Sequence, residues 1–425
     1  MARILLHTLV YAPDGVSTAT LLSELAQDLQ TAGHDITILT TKPHYNRDED
    51  AEAKQPLYKR LGGLYYISDH QGIRVIHTHM PPKGQGVGNR LRHYVLFHVL
   101  SLLLGTLLIG RQDVVIAPSP PLSIGVVAWI LARLKGAKFV YNIQELYPAL
   151  AVQMGIMSPE SRMYRLMVHL ERFIYHRADK ITVICDYFYQ QVTKIGLSDH
   201  KVLLIPNFVD VHFIHPLPKA NFLTDEHKLI DKFVIQYAGN IGMTQSFDTI
   251  LEVACRLQDE SEIHFLIVGD GARRHYVEQQ LKAGSFPNIT LLPYQPRSHV
   301  PYVYASADLC LVPLMTGTAQ TTVPSKIYTI MASGRPVLTA VDQDSELVTI
   351  VQTAKCGLAV PPDDADALEA GIRHIFAERD KFKAYGGNGR SYVEAHFSRD
   401  SVSAQYHRLI QQLVEHYEAE PQKVM

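Results

Sequence analysis

The most specific candidate for chemistry in this sequence is the segment Thr-Thr-Val-Pro-Ser-Lys, residues 321–326, which opens a predicted helix. Pro324 suits the first turn of a helix, a nearby Thr or Ser can cap it, and Gly334 suits its end. A helix start presents unpaired backbone N–H groups and the positive end of the helix dipole, which favours a bound phosphate. Lys326 adds a full positive charge there. The segment therefore predicts a phosphate site, and a plain capped helix with a surface lysine is the alternative.

Two glycine turns follow predicted strands in the same half of the chain. Gly239 and Gly242 lie in Tyr-Ala-Gly-Asn-Ile-Gly, where glycine lets the backbone approach a ligand closely. Gly269 and Gly271 follow another strand, but Arg274 stands where a dinucleotide fingerprint has its third glycine. The second turn is therefore weak support for a dehydrogenase, and a purely structural role for the first turn stays open.

Further polar candidates follow strands in the first half of the chain. Gly15 and Ser17 follow the first predicted strand, where they can cradle a phosphate or leave room for a sugar. Gln144 and Glu145 end another strand at the same carboxyl edge of the predicted sheet. Glu145 is a candidate acid/base or hydroxyl-binding carboxylate, and an ordinary solvated loop glutamate is the alternative.

Two patterns resemble metal ligands, but neither predicts a metal site. His77 and His79 have i, i+2 spacing, which would place them on one side of a strand, yet no third ligand is evident. Asp364-Ala-Asp366 precedes a helical pattern, so we interpret it as a helix cap followed by first-turn acids. We therefore expect no bound metal.

Composition narrows the class of protein. The chain has 425 residues, about right for two domains of common size, with 47% hydrophobic and 19% charged residues. Its net charge of −2 provides no basic field for a nucleic acid, so we exclude that partner. The four cysteines lie far apart, which indicates a reducing compartment rather than a disulfide framework. Because the apolar N-terminus is typical of a buried strand rather than a signal peptide, we predict a cytoplasmic protein.

Short apolar strands alternate with helical patterns through both halves of the chain, and a proline-rich linker, residues 202–218, lies between them. This alternation is typical of α/β proteins with a parallel, doubly wound sheet. We therefore predict two Rossmann-like domains, 1–205 and 206–399, followed by a C-terminal helix, 400–425. Ligands of such sheets bind beyond the carboxyl ends of the strands, so two facing sheets would enclose a cleft between the domains.

Residues 94–110 form an almost wholly apolar stretch, which basic residues such as Arg90 and Arg92 precede. At about 17 residues the stretch reaches only the short edge of the membrane-spanning range, and a strand-like segment follows at once. A true membrane span is therefore the least favoured interpretation. A core helix packed under the sheet and a helix that docks on a membrane surface both stay open. The docking helix would make this a peripheral protein on the inner face of the plasma membrane.

Taken together, these segments resemble the family-four retaining glycosyltransferases of the two-domain GT-B fold, and within them the bacterial enzymes of colanic-acid, O-antigen and exopolysaccharide synthesis. The resemblance runs through nearly the whole chain. Its most specific parts, in order, are YNIQELYPALAVQMG, YAGNIGMTQSFDTILEVA, VGDG, LLPYQPRSHVPYVYASADLCLVPL and VPSKIYTIMASGRPVLTAVDQDSELVTIV.

The resemblance implies a role for the matching residues. The donor phosphates would lie against the glycines of the first turn, Lys326 and Ser325 would hold the diphosphate, and Gln295 would help to frame the base. The last helix would cross back to the first domain. Motifs and resemblance together give the donor-binding set Gly15, Ser17, Gly239, Asn240, Gly242, Gln245, Gly269, Gly271, Gln295, Thr321, Thr322, Pro324, Ser325, Lys326 and Glu346. The catalytic candidates are Lys326 and Glu145, and the acceptor side comprises His79, Gln144 and Glu145.

The sequence departs from the family at residues that usually touch the donor. Thr321 and Thr329 stand where many relatives carry glutamates, the first for the donor sugar and the second for the ribose. Asn240 and Gln245 stand where relatives often carry Arg and Lys. Lys326 is therefore the main visible counter-charge in this chain.

The implied reaction is a retaining, metal-independent sugar transfer in which a nucleotide diphosphate leaves. The favoured donor is a UDP-sugar, Glu346 is the candidate replacement for the ribose contact, and no cofactor is expected. The implied acceptor is an oligosaccharide or a polyprenyl-linked glycan of surface polysaccharide synthesis. Two alternatives stay open: a sugar-nucleotide epimerase or phosphorylase on the same architecture, and a non-catalytic sugar-nucleotide-binding partner, which the replaced glutamates favour.

Overall fold

The computed structural model describes residues 1–44, 49–80, 87–198, 200–319 and 324–419. The chain divides into two compact units. Unit 1 comprises Met1–Asn207 together with Arg399–Met425, and unit 2 comprises Phe208–Ser398.

Unit 1 contains, within the described residues, a nine-stranded sheet with the order β3-β4-β5-β2-β1-β6-β7-β8-β9. Its strands are β1 Arg3–His7, β2 Asp35–Thr41, β3 Tyr58–Arg60, β4 Tyr65–His70, β5 Ile73–Thr78, β6 Val114–Pro118, β7 Lys138–Ile143, β8 Lys180–Val183 and β9 Val202–Leu204. Its first seven helices are α1 Ser17–Thr31, α2 Glu49–Lys54, α3 Val87–Leu108, α4 Ile124–Lys135, α5 Ala149–Gln153, α6 Arg162–Arg177 and α7 Asp186–Thr193.

The sheet of unit 1 differs from the prediction at one edge, because β3 and β4 run antiparallel to their neighbours. Gly62 and Gly63 have positive φ angles of 67° and 101° and form the turn between β3 and β4. Gln71 and Gly72 connect β4 to β5 by a second tight turn. Such short connections join antiparallel strands, whereas parallel strands need a long crossover.

Unit 2 contains a fully parallel sheet with the order β12-β11-β10-β13-β14-β15 in the part of the chain that is described. Its strands are β10 Phe233–Ala238, β11 Ile263–Val268, β12 Ile289–Leu292, β13 Leu309–Pro313, β14 Val337–Ala340 and β15 Gly357–Val360. Its helices are α8 Phe222–Glu226, α9 Phe247–Arg256, α10 Arg274–Ala283, α11 Val300–Ala305, α12 Lys326–Ala332, α13 Glu346–Ala354, α14 Ala365–Ala377 and α15 Arg379–His396. Both predicted Rossmann-like sheets are therefore confirmed.

The core of unit 2 explains why its strands read as continuous apolar runs in the sequence. One cluster of buried side chains, which includes Ile235, Phe247 and Phe265, packs α9 and α14 against the sheet. A second cluster, which includes Ile327 and Val351, packs α12 and α13 against it. Strands that are covered on both faces need apolar side chains at successive positions.

The last helix, α16 Arg399–Ala419, packs against α1 within unit 1. Arg399 forms an ion pair with Asp28, with 2.7 Å between Nη2 and Oδ1. The Ser403 hydroxyl donates to Asp28 Oδ2 over 2.6 Å. Farther along, the Tyr406 hydroxyl accepts a hydrogen bond of 3.0 Å from Asn142 Nδ2, at the end of β7.

The apolar stretch at 94–110 lies in α3, which buries one face and exposes the other. Phe97, Ser101 and Leu104 are buried on the inner face, where the helix packs against α4 and the sheet. On the opposite face every fourth residue is apolar, and these side chains are 45–70% exposed. They are Val95, Val99, Leu103 and Leu107. No helix in the described ranges combines the length and the apolar character that a membrane crossing requires.

Candidate functional site

The strand order of unit 2 reverses between β10 and β13, so the segments after these two neighbouring strands start side by side at the carboxyl edge of the sheet. Open parallel sheets bind their ligands at such a reversal. The segment after β10 is residues 239–242, here called the glycine loop. The segment after β13 leads to α12, whose first residue is Lys326. The structure therefore brings together two phosphate-binding candidates that are far apart in the sequence.

Close packing around the glycine loop requires glycine at two positions. A Cβ atom on Gly239, where φ is +137°, would lie 3.2 Å from Lys326 Nζ. A Cβ atom on Gly269 would overlap the Gly239 carbonyl oxygen. The main chains also pair directly, because the Ile241 N–H donates to the Asp270 carbonyl over 2.8 Å. The second glycine turn thus packs immediately behind the first.

Lys326 is partly buried, and its amine lies over an aromatic ring. Its Nζ is 3.8 Å from the centroid of the Tyr237 ring, at the end of β10. Burial lowers the pKa of this amine to about 7. No carboxylate of the described residues forms an ion pair with Lys326 that would offset this burial. A nearby anion would favour the charged amine and raise its pKa again.

Helix α12 begins at Lys326, two residues later than predicted. Pro324 and Ser325 instead form a tight turn with i→i+3 hydrogen bonds between backbone groups. Ser325 occupies the N-cap position with helical angles, φ −57° and ψ −14°, and its side chain makes no cap hydrogen bond. The Ser325 side chain therefore does not cap the helix, because a capping side chain reaches the helix N–H groups from an extended backbone. Gly334, with φ +67°, follows the end of the helix as predicted.

Two further donor-side candidates shape the glycine loop. Gln245 Oε1 accepts from the Gly242 N–H over 2.9 Å, and its Nε2 donates to Thr244 Oγ1 over 2.8 Å. The Gln245 amide thus braces the loop from inside the protein. Gly271 packs against Asn240, whose Oδ1 would lie 2.5 Å from a Cβ atom at that glycine.

The remaining donor-side candidates also follow strands of unit 2. Gln295 follows β12, where its Nε2 donates to the Pro293 carbonyl over 3.2 Å. Glu346 is the first residue of α13, after β14. Both candidates therefore lie at the carboxyl edge that carries the glycine loop. Thr321 and Thr322 fall outside the described residues.

Two aspartates that the sequence analysis did not single out hold the loop after β13. Asp342 accepts from the N–H groups of Gly317, over 2.9 Å, and Ala319, over 3.4 Å. Asp363 accepts from both the N–H and the hydroxyl of Thr316, each over 2.8 Å. The sequence pattern could have pointed to Asp342, because it stands just beyond the carboxyl end of the predicted strand that forms β14.

In unit 1, Glu145 follows β7 at the carboxyl edge of the sheet. Its side chain is partly buried, and this burial raises the pKa of the carboxyl group to about 7. A carboxyl group that titrates near neutrality can accept or donate a proton under ordinary conditions.

Gln144 lies one residue earlier, and both ends of its amide are used within unit 1. Its Nε2 donates to Asn142 Oδ1 over 2.7 Å. Its Oε1 accepts from Asn207 Nδ2 over 2.8 Å. Gln144 therefore fixes the end of β7 to the last residue of the Met1–Asn207 segment.

The other unit 1 candidates lie on either side of β2. Gly15 and Ser17 are exposed in the segment after β1, and Ser17 is the first residue of α1. His79 lies just beyond β5, where its N–H donates to the Leu64 carbonyl over 3.1 Å. The strand order places β1 and β5 on opposite sides of β2, and β7 lies farther along the sheet.

Across the described part of the chain, no group of three His, Cys, Asp or Glu side chains could hold a metal ion. His77 is instead engaged with Ser68 Oγ, over 2.8 Å, and with the Thr41 carbonyl, over 3.0 Å. Asp364 caps α14 by accepting from the Ala367 N–H over 2.9 Å, which confirms the predicted helix cap.

Two family models match the chain, one in each unit. The Glycosyl transferase 4-like domain matches residues 15–207, and the model described as Glycosyl transferases group 1 matches residues 232–378. The first match contains Glu145, and the second contains the glycine loop with Lys326. The chain belongs to the glycosyltransferases.

Known proteins resemble this glycosyltransferase over most of its length. WcaI of Escherichia coli K12, described as a colanic acid biosynthesis glycosyl transferase, is 25% identical over 417 residues, which cover 95% of this chain and 98% of WcaI. Sucrose-phosphate synthase from Thermosynechococcus elongatus has a TM-score of 0.75 at 18% identity and covers 99% of this chain and 100% of that chain. Anabaena HepE in complex with UDP-glucose has a TM-score of 0.70 at 14% identity, with coverage of 99% and 100%. The two solved structures confirm the predicted GT-B fold.

Proposed function

We propose that this glycosyltransferase transfers a sugar, with retention and without a metal, from a nucleotide-diphosphate sugar on unit 2 to an acceptor hydroxyl on unit 1. The donor diphosphate lies on the glycine loop, and Lys326 neutralises it. The proposal rests on the surroundings of the Lys326 amine. This amine is partly buried over the Tyr237 ring, and no carboxylate of the described residues pairs with it. An amine in this state, beside a backbone that glycine leaves open, suits a ligand that brings negative charge.

The chemistry follows from where charge develops. As the bond between the sugar and the diphosphate breaks, the leaving oxygen gains negative charge and the sugar becomes oxocarbenium-like. Lys326 takes up a proton when the diphosphate binds, because an adjacent anion favours the ammonium form. The ammonium then stabilises the charge on the leaving oxygen, and preorganised electrostatics of this kind lower a barrier effectively.

On the acceptor side, we assign Glu145 to the hydroxyl that attacks the sugar. With a pKa of about 7, this carboxyl group can accept a hydrogen bond or a proton from the hydroxyl near neutral pH. Gln144 holds the end of β7 that carries Glu145, and His79 contributes from the end of β5. Gly15 and Ser17, in the segment after β1, are the donor-binding candidates that unit 1 carries.

Our choice of donor and acceptor is supported by one solved structure of the same fold and by one similar protein. HepE, which shares the fold, was solved with UDP-glucose, so a UDP-sugar is the favoured donor, with Gln295 at the base and Glu346 at the ribose. WcaI is described as a colanic acid biosynthesis enzyme, so the favoured acceptor is a lipid-linked glycan of surface polysaccharide synthesis.

A lipid-linked acceptor would bring unit 1 to a membrane, and we place that contact on the exposed face of α3. Four exposed apolar side chains follow one another along this face, and exposed apolar stripes mark interaction sites. Arg92 precedes the stripe, and Arg162 and Arg165 are exposed on α6, which packs against α4 next to α3. Apolar residues and arginines on one face of a protein suit a surface of anionic lipids. The stripe consists of Val95, Val99, Leu103 and Leu107.

Vesicle flotation tests this contact. The protein should float with anionic phospholipid vesicles, and the double variant Val99→Glu, Leu103→Glu should stay at the bottom of the gradient. Leu61→Glu is the matched control, because Leu61 is an exposed leucine of unit 1 that lies outside α3. A wild-type protein that floats with neither anionic nor zwitterionic vesicles would contradict the membrane contact.

The transfer itself is tested in two steps. A thermal-shift screen against a panel of nucleotide sugars identifies the donor, because a ligand that binds only the native state raises its stability. Transfer to a polyprenyl-diphosphate-linked acceptor is then compared between wild type and Lys326→Ala, which should lose more than ~100-fold in turnover while remaining folded. Near wild-type transfer by Lys326→Ala would reject the proposed role. An epimerised donor without acceptor would support an epimerase, and donor binding without transfer would support a non-catalytic partner.

A further inference from the structure

We infer that Tyr237 is a positioning residue that aligns the two halves of the diphosphate site, Lys326 and the glycine loop, before the donor binds. This inference rests on the proposed function, because it takes these two elements as the groups that hold the diphosphate. Tyr237 stands one residue before the end of β10, and it is 1% exposed.

The ring of Tyr237 holds the Lys326 amine. An ammonium is attracted to the face of an aromatic ring, and the distance of 3.8 Å from Nζ to the centroid lies well within the range of this attraction. A lysine side chain is long and flexible, so a fixed ring beneath it limits where the amine can go. A carboxylate at the same place would neutralise the amine by an ion pair. The ring attracts the ammonium form without adding a charge, so the ring does not compete with the phosphates for Lys326.

The hydroxyl of Tyr237 holds the glycine loop. It donates to the Asn240 carbonyl over 2.5 Å, which fixes the peptide between the two glycines of the loop. Burial raises the pKa of the Tyr237 phenol well above its usual value, so the hydroxyl keeps its proton and remains a donor. Phe247 fixes the ring from the edge, with 4.9 Å between the ring centroids and an angle of 75°.

One rigid side chain therefore touches both halves of the site, and substitutions can separate its two contacts. Tyr237→Phe removes the contact to the loop and keeps the ring under Lys326. Tyr237→Leu removes both contacts. Phe382→Leu is the matched control for the loss of a buried aromatic residue, because Phe382 lies in the same apolar core cluster as Tyr237 but contacts α14 and α15.

The test measures binding of UDP-glucose and of inorganic pyrophosphate to the full chain by calorimetry, with thermal unfolding as the check on folding. Tyr237→Leu should weaken both ligands about tenfold, and Tyr237→Phe about threefold. Phe382→Leu should bind like wild type. In a Lys326→Ala background the effect of Tyr237→Leu should fall to the roughly threefold effect of Tyr237→Phe, because only the contact between the hydroxyl and the glycine loop is left to lose. The effect of Tyr237→Phe itself should persist.

The outcomes separate this inference from the proposed function. If Lys326→Ala loses binding while both Tyr237 variants bind like wild type, the role of Tyr237 is overturned and the diphosphate site stands. If Phe382→Leu weakens binding as much as Tyr237→Leu, or if Tyr237→Leu has the same effect in the Lys326→Ala background, Tyr237 has only a structural role. If the wild-type chain binds neither UDP-glucose nor pyrophosphate, both proposals fail.

Discussion

The burial of Lys326 makes donor binding depend on pH in the neutral range. With a pKa of about 7, the amine is charged in about half of the free molecules at pH 7 and in about 9% at pH 8. A bound diphosphate raises this pKa, so the complex keeps the proton that the free protein loses. Affinity is therefore full below pH 7 and is lost as the pH rises through 7. If only the ammonium form binds, affinity falls about fivefold between pH 7 and pH 8 and approaches tenfold per pH unit beyond that.

Calorimetry with UDP-glucose between pH 6 and pH 8.5 measures this dependence, since the diphosphate diester of this ligand does not titrate in that range. Measurements in two buffers of different ionisation enthalpy should show uptake of about half a proton at pH 7 and about 0.9 proton at pH 8. Lys326→Arg is the control, because a guanidinium stays charged throughout and should make affinity independent of pH. A flat wild-type profile, or the same decline in Lys326→Arg, would refute the reasoning.

Three further predictions follow from other contacts. Glu145→Gln should lower transfer yet stabilise the protein at pH 8 by on the order of 1–3 kcal/mol in chemical unfolding, with no gain at pH 4, because burial penalises the anion that forms as the pH rises from 4.5 through about 7. An unchanged unfolding midpoint at pH 8 would contradict this. Gly269→Ala should cost about 1–3 kcal/mol and weaken UDP-glucose binding, because its Cβ overlaps the glycine loop, whereas Gly110→Ala, which meets open space, should do neither. Arg399→Ala should raise hydrogen exchange along α16, since it removes the partly buried ion pair with Asp28, and unchanged exchange would argue against that anchor.

Much of the fold could be predicted because local signals and packing agree. Helix α14 begins directly after Asp364 as predicted, since the cap at Asp364 and the apolar spacing mark the same element. Helix α15 gave no such signal, because glycines at 386, 387 and 389 weigh against a helix. The structure explains one of them, because a Cβ at Gly386 would overlap the Gly334 carbonyl oxygen. Here a tertiary contact outweighs local propensity.

In the candidate site, too, some features could be predicted from the sequence and others depend on tertiary contacts. The alternation of strands and helices predicts that the loops carrying Gly239 and Lys326 lie at the carboxyl edge of one sheet, and the family resemblance implies that both residues hold the diphosphate. That the two loops are neighbours follows from the strand order of the folded chain. The lowered pKa of the Lys326 amine and its position over the Tyr237 ring could not be inferred, because both depend on how the folded chain packs around this side chain. The hydrogen bonds that occupy Gln144 and Gln245 were equally invisible, because they join side chains to groups that only the folded chain brings near.

The central claim is that the diphosphate of the donor lies between the glycine loop and Lys326. A crystal structure of the full chain with UDP-glucose tests it most directly. We expect a phosphate oxygen within about 2.7–3.2 Å of Lys326 Nζ and of the nitrogen of a glycine-loop N–H. A nucleotide bound elsewhere, with Lys326 Nζ still over the Tyr237 ring and no phosphate beside it, would contradict the account.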